Sequence, residues 1–245
     1  NENIRVIEGL VRCITKKDHV QPIKPYLRFG NLTNRIIAMP AFVGGESNIA
    51  GIKWIASFPD NIKNGIARAH CVVILNETST GVPIAILNSN SISAIRTASV
   101  SGLMIEQFIK NRGRKEVKLG ITGFGPIGQH HLSMCNEVLK GRISKVSLYD
   151  INELNIDIVP DCLKDKVVAV DSWEEAYRDA DIFITCTVAK DRYINIKPKP
   201  GSLHLNVSLR DYRSDVFEWF AGGIVVDDWD EICRENTDIE MFHKN

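Results

Sequence analysis

The sequence predicts an α/β protein: a helix and a mostly antiparallel sheet in the first half, a doubly wound parallel sheet in the second. Three observations predict it. Short runs rich in β-branched residues, separated by turn signals, fill the stretch from Arg35 to Ser89. From Glu116 onward, strands rich in Val, Ile and Leu alternate with helical patterns, which is how a parallel sheet with crossovers reads. At the joint, "KLGITGFGPIGQHHL" (118–132) runs from an apolar strand through a glycine turn into a helix.

Taken in order, residues 1–18 place Ile4, Ile7, Leu10, Val11 and Ile14 at helical spacing, and "VQPIKPYLRF" breaks the pattern with two prolines. "RIIAMPAFVGG", "IAGIKWIAS", "CVVILNE" and "VPIAILNS" read as strands, with "NETSTG" as a hairpin connection. "SAIRTASVSGLMIEQFIKN" is helical and stops at Arg112-Gly113. Then come strand "VKLGIT", a helix from about Gly125 to Leu139, strands "KVSLYD" and "KVVAVD", helix "SWEEAYRDA", and strands "DIFITC", "SLHLNVS" and "GGIVVDD". Only 16 residues separate Asp150 from Val167, and they contain a proline. Either this crossover is unusually short or a loop is absent from the sequence. The expected boundaries are 1–112 for the first domain, 113–228 for the nucleotide domain, and a separate closing segment at 229–245.

Bulk properties narrow the function classes. The chain has 245 residues, enough for two modest domains, and 44% hydrophobic with 24% charged residues fits a globular protein. Lys+Arg and Asp+Glu number 30 each, so no global field points to nucleic acid or an anionic membrane. No apolar run approaches the ~18–20 residues of a membrane span, and no signal peptide pattern is present. Six scattered cysteines, without a C-x-x-C pair or clustered histidines, suit reduced thiols in a cytoplasm and offer no metal site. The opening at Asn1 rather than Met reads as a processed or partial chain.

Gly123, Gly125 and Gly128 form G-x-G-x-x-G after a predicted strand and at the mouth of a helix. The first glycine permits the tight turn, the second lets backbone approach a pyrophosphate, and the third allows close helix–strand packing. Helix amides then hold the phosphate charge. Asp150 closes the next strand, 22 residues past Gly128, where an acid hydrogen-bonds a ribose 2′-hydroxyl and repels a 2′-phosphate. The unit is therefore a Rossmann-type site, and the predicted cofactor is NAD.

The first half supplies cations in unusual places. Lys24 and Arg28 lie in "KPYLRF", Lys53 sits inside an apolar strand, and Arg96 starts a helix. A cation inside an apolar strand is costly unless an anion meets it. Separate elements carrying such residues point to a carboxylate pocket, since arginine grips carboxylates bidentately and lysine can shift its pKa and move protons. In the second half, Asp211 follows a strand end, where ligands of open α/β sheets sit, and is the candidate general acid/base. A turn or cap aspartate is the plainer alternative there.

Together these stretches resemble the ornithine cyclodeaminase/mu-crystallin family across nearly the whole chain. The resemblance rests on "RIIAMP", "GIKWIAS", "VVILNETSTGVPIAIL", "AIRTASVS", "GFGPIG" and the strand leading to Asp211. It implies a Rossmann domain inserted in an α+β substrate and dimerisation domain built from both chain ends, so that 229–245 starts a return segment, and it implies a homodimer. By position it implies Arg28, Lys53 and Arg96 as ligands of substrate carboxylates and Asp211, with Lys53, as catalytic groups. It implies Gly123, Gly125, Pro126, Ile127, Gly128 and Asp150 for NAD, with Thr187 and Ser208 on the nicotinamide side. Within the family, "VQPIKPYLR", "NRIIAMPAFVGGE" and "GIKWIASFPDN" look like the branch that makes L-2,3-diaminopropionate for siderophores and related products. Members of that branch oxidise N-(2-amino-2-carboxyethyl)-L-glutamate with NAD, releasing 2-oxoglutarate. Trp54, Ile55 and Ala56-Ser57 after Lys53, and Leu209-Arg210 before Asp211, depart from the ornithine-cyclising pattern. An extra count of cations (Lys24, Arg28, Arg35, Lys53, Arg96, Arg210) suits a substrate with three carboxylates. Ornithine cyclodeaminase, a ketimine or imino-acid reductase, and a non-catalytic NAD-binding protein of the crystallin type are the rival expectations. Relatives continue beyond "DWDEICREN", so part of the substrate domain is expected to lie outside this chain.

Overall fold

A computed structural model describes residues 2–113, 115–220 and 222–244. The chain divides into two compact units, Glu2–Arg96 and Thr97–Asn245.

In the first unit, α1 (Glu2–Thr15) buries Ile4 and Ile7, while its outer side pairs Glu8 with Arg5 and Arg12. The proline-broken stretch does more than interrupt: β1 (His19–Val20) and β2 (Tyr26–Leu27) both pair on β3 (Arg35–Val43). Next, β3 runs antiparallel to β4 (Ile49–Ser57) without a register shift, from Arg35 opposite Ser57 to Val43 opposite Ile49. The hairpin of β5 (Ala69–Glu77) and β6 (Pro83–Asn88) completes a six-stranded sheet, its turn closed by the Gly81 N–H on the Glu77 carbonyl. Directly paired residues and alternate residues share a face. By that register Tyr26, Arg35, Met39, Lys53 and Cys71 all stand on one side of the sheet.

Helix α2 (Asn90–Arg112) carries the chain onward. The division falls inside it, earlier than the expected 112, because Ala98, Ile105 and Ile109 are buried in the core of the second unit. That unit then runs β7 (Val117–Thr122), α3 (Pro126–Leu139), β8 (Ile143–Tyr149), β9 (Val167–Ala169), α4 (Trp173–Arg178), β10 (Ile182–Thr185), β11 (Leu203–Asn206), α5 (Trp229–Ile232) and α6 (Asp238–Lys244). The five strands lie in the order β11-β10-β7-β8-β9, all parallel. Leu119, Ile121, Val146, Leu148, Ile182 and Ile184 are essentially fully buried and share one face by register, while Thr122, Ser147, Phe183 and Thr185 are buried on the other, so the sheet is covered on both sides. The chain leaves β7 toward β8 on one side and later returns to β10 on the other. That reversal is a topological switch point, where such folds bind ligands.

Three segments of this unit depart from a regular alternation of strands and helices. The short crossover to β9 is made by two 3-10 turns (Ile156–Ile158 and Asp161–Leu163) that bury Val159 and Leu163, so no α-helix is needed. "GGIVVDD" forms no strand: no neighbouring strand supplies ladder bonds, and Val225 is 74% exposed. Residues 229–244 pack in the second unit, with Phe242 5.0 Å from Phe217 and Asp238 fully buried.

Candidate active site

The glycine turn is shaped by close backbone approaches. Gly123 has φ +83°, and a Cβ there would stand 2.4 Å from the Cys186 carbonyl oxygen. A Cβ on Gly128 would stand 2.2 Å from the Gly123 carbonyl oxygen. Gly125 differs: a Cβ there would meet no protein atom within 4 Å, so that side of the turn is open. Gly125 is also the N-cap of α3 and offers no side chain to its amides, with Pro126 in the first turn followed by Ile127. Asp150, just beyond β8, accepts the Phe124 N–H at 2.7 Å on Oδ2, and on Oδ1 the Asn152 backbone N–H at 2.9 Å and side-chain amide at 3.1 Å. Its Oδ2 keeps a lone pair for a hydroxyl. A cavity of about 380 Å³ opens along Glu153–Asp157, a few residues further on. Clear backbone, uncapped helix amides and a tethered acid fit a dinucleotide.

Beside this turn lies a second group. The Thr187 N–H donates to Ser208 Oγ at 2.8 Å, and its hydroxyl donates to Asp211 Oδ1 at 2.5 Å. Asp211 is fully buried, and its Oδ2 has no hydrogen-bond partner. A buried acceptor left unpaired costs stability, so it stands out as a group held ready for another partner. Tyr193 closes the group: its hydroxyl is 3.1 Å from Thr122 Oγ1, and its backbone N–H donates to the Asp211 carbonyl at 3.0 Å. Burial first, and then the Asp211 charge, push the Tyr193 hydroxyl far up from its ordinary pKa, so it stays protonated. Arg210 donates from Nε and Nη2 to the Glu235 carbonyl at 3.2 and 2.7 Å.

In the first unit Lys53 stands at the middle of β4, half-buried, opposite Met39 and Val73. Burial is the main cause that lowers its pKa to about 8, and the charges of Arg96 and Lys24 push the same way, partly offset by Cys71. Three cations from β4, α2 and the loop after β1 therefore feel one another. Nearby in sequence, the Arg28 and Arg35 guanidinium carbons lie 5.3 and 5.9 Å from the centre of the Tyr26 ring. Arg28 also donates to the Leu32 carbonyl at 3.2 Å, whereas the buried Nε of Arg35 has no partner. Among the described residues, no group of three or more His, Cys, Asp or Glu side chains is placed to hold a metal.

The predicted residues thus fall into local groups: the turn with Asp150; Thr187 and Ser208 with Asp211; Lys53 with Arg96; and Arg28 on Tyr26. The profile of the ornithine cyclodeaminase/mu-crystallin family matches residues 3–200. The chain belongs to that family. Among ornithine cyclodeaminase/mu-crystallin relatives, the N-((2S)-2-amino-2-carboxyethyl)-L-glutamate dehydrogenase of Staphylococcus aureus is 36% identical over 250 residues, covering 96% of this chain and 73% of that protein. The alanine dehydrogenase of Archaeoglobus fulgidus is 26% identical over 237 residues, covering 94% of this chain and 70% of that one. In fold, the chain is similar to the Thermococcus litoralis Delta(1)-pyrroline-2-carboxylate reductase solved with NADH and L-proline. That match has a TM-score of 0.74 at 24% identity, over 86% of this chain and 68% of the other. Tyr193 and Thr122 join the Asp211 group in the structure, and sequence reasoning missed both. Tyr193 lies on an irregular segment with no periodic signal, and Thr122 reads as an ordinary strand residue.

Proposed function

We propose that this family member catalyses the NAD-dependent oxidative cleavage of N-(2-amino-2-carboxyethyl)-L-glutamate to L-2,3-diaminopropionate and 2-oxoglutarate. It is an oxidoreductase acting on an amino-acid C–N bond, with NAD as cofactor. The observation that carries the chemistry is the buried Asp211 carboxylate, one oxygen held by Thr187 and the other without a partner. The choice of substrate is supported by the Staphylococcus aureus relative. It is also supported by the number of cations in the first unit, which exceeds what a single α-carboxylate needs.

In this reading Gly123–Gly128 and Asp150 hold the dinucleotide, and the nicotinamide, when bound, supplies the acceptor for the hydride of the glutamyl Cα. Lys53 and Arg96 bind one substrate carboxylate, and Arg28 with Arg35 bind another, each as a charge-assisted pair. Asp211 Oδ2 takes the proton of the secondary amine as the carbon–nitrogen double bond forms. It returns that proton to the nitrogen as water attacks the carbon, and takes a proton from that water. This second proton passes to the nitrogen as the carbon–nitrogen bond breaks, and the hydroxyl proton leaves to solvent as the 2-oxo group forms. Thr187 fixes the carboxylate, and fixing reacting groups at contact distance removes much of the entropic barrier. A homodimer belongs to the same reading, supported by the exposed apolar residues Trp54, Val72 and Ile86 on the sheet face opposite Lys53. So does a cytoplasmic setting, which six free thiols support.

The test is absorbance of NADH on mixing protein, NAD and N-(2-amino-2-carboxyethyl)-L-glutamate, with ornithine and a cyclic imine plus NADH as comparisons. NADH from the first mixture is expected. Its absence, with turnover of either comparison, would overturn the substrate. D211N is expected to bind NAD as the wild type does while kcat falls by about 10²–10⁴-fold, the usual worth of a general acid/base.

A further inference from the structure

Asp238, the first residue of α6, belongs to none of the groups above, yet it is fully buried and strongly bonded. Its Oδ2 accepts three donors: the backbone N–H of Asp211 at 2.8 Å, that of Tyr212 at 3.0 Å, and the Asn206 side-chain amide at 2.9 Å. Its Oδ1 accepts Arg192 Nε at 2.6 Å, and the same guanidinium donates to the Asn236 carbonyl at 2.6 Å. The Asp238 N–H in turn donates to the Leu209 carbonyl at 2.8 Å.

The backbone that these bonds cross is strained. Leu209 has φ +67°, a region that costs a bulky L-residue energy and persists only where surrounding contacts enforce it. Asn206 enforces it from one side, accepting the Leu209 N–H at 3.0 Å, and Asp238 from the other. Asp211 follows two residues later. Since Thr187 grips one oxygen of its carboxylate, the aim of the other oxygen is set by where the Asp211 backbone sits. Capping does not explain the arrangement. An N-cap side chain satisfies the amides of its own helix, whereas this carboxylate satisfies those of Asp211 and Tyr212.

We propose that Asp238 is a positioning residue: through the amides of Asp211 and Tyr212 it holds the strained turn that aims Asp211 into the site. The inference rests on the catalytic reading of Asp211 given above. A charged carboxylate is required for it. An asparagine keeps one acceptor oxygen for three donors and turns its amide against Arg192, donor against donor.

The substitution D238N separates the possibilities when read in two ways on the full chain. The first is hydrogen exchange at the amides of Asp211 and Tyr212. These are expected to be protected in the wild type and to exchange at least about ten-fold faster in D238N, with the glycine turn unchanged. The second is kinetics with NAD and N-(2-amino-2-carboxyethyl)-L-glutamate: kcat is expected to fall by about 10²-fold, as misplaced groups cost, while NAD affinity holds. Unchanged exchange in D238N overturns the positioning role whatever the substrate is. Faster exchange with undiminished kcat overturns it too, and leaves the proposed reaction standing. A wild type inactive on this substrate, with protection lost in D238N, overturns the reaction and supports the hold on the turn. Should D238N not fold, R192Q removes the ion pair, together with the bond to the Asn236 carbonyl, and leaves the Asp238 carboxylate in place. Faster exchange and lower kcat are expected there, with both restored by R192K, and wild-type behaviour of R192Q overturns the role.

Discussion

Lys53 is the residue whose chemistry is most exposed to test. Its pKa is lowered to about 8, by burial first and then by Arg96 and Lys24, so the free protein loses this cation just above neutrality. A carboxylate binds the protonated form, so above that pH binding must recover a proton. KM for the amino-acid substrate is therefore expected to climb above pH 8 toward about tenfold per pH unit, while NAD affinity holds. In K53R, whose side chain stays charged, that alkaline limb should move out of range. A flat KM in the wild type would show that Lys53 does not carry the substrate's charge. Lys53 was legible in the sequence because a cation inside an apolar strand contradicts its surroundings. Asp211 was legible only from its place after a strand. Tyr193, Arg192 and Asp238 were not, because they sit on irregular segments or short helices and their partners are distant in sequence. Nothing in the sequence marks the Glu235 carbonyl as the acceptor of Arg210 either.

At the scale of elements, the second unit was read almost in full where neighbours supply the ladder, as with "VKLGIT", "KVSLYD" and "DIFITC". Apolar character alone misled at "GGIVVDD", since a run becomes a strand only when another strand takes its hydrogen bonds. It misled in the opposite sense at "VQPIKPYLRF", where two-residue strands lie before and after the prolines along the edge of β3. The strand–turn–helix unit gives a sharper test, because its glycines are needed for different reasons. G123A meets the Cys186 carbonyl at 2.4 Å from a backbone at φ +83°, and is expected to destabilise the protein by about 1–3 kcal/mol in urea unfolding. G125A meets no protein atom within 4 Å and has an ordinary negative φ, so its stability should match the wild type while NAD affinity drops. Equal NAD binding by G125A would mean the turn is structural and the dinucleotide lies elsewhere.

For the molecule as a whole, equal numbers of acidic and basic residues, 30 each, leave no net field to draw in an anionic substrate, so attraction is confined to the local cations. Global charge also says little about how stability responds to pH; individual groups such as the shielded histidines contribute to it. His204 on β11 lies with Nδ1 2.8 Å from the Tyr212 hydroxyl and Nε2 2.9 Å from Ser202 Oγ, among the rings of Tyr177, Phe183 and Phe220. Burial lowers its pKa to about 4. His131, joined to Ser101 and to the Ile127 carbonyl, is lowered as well, again chiefly by burial. Unfolded histidine titrates near 6.5, so between that pH and 4 the unfolded chain takes up protons that the folded one refuses. The stability of the neutral, hydrogen-bonded state is fully present above about pH 6.5 and drains away as the pH falls toward 4. From pH 7 to pH 5, His204 alone is expected to remove about 2 kcal/mol, with His131 acting in the same direction. Urea unfolding of the second unit at the two pH values measures the loss. H204Q, which can still donate and accept, should flatten most of the slope. An unchanged slope in H204Q would place the acid sensitivity in the carboxylates instead.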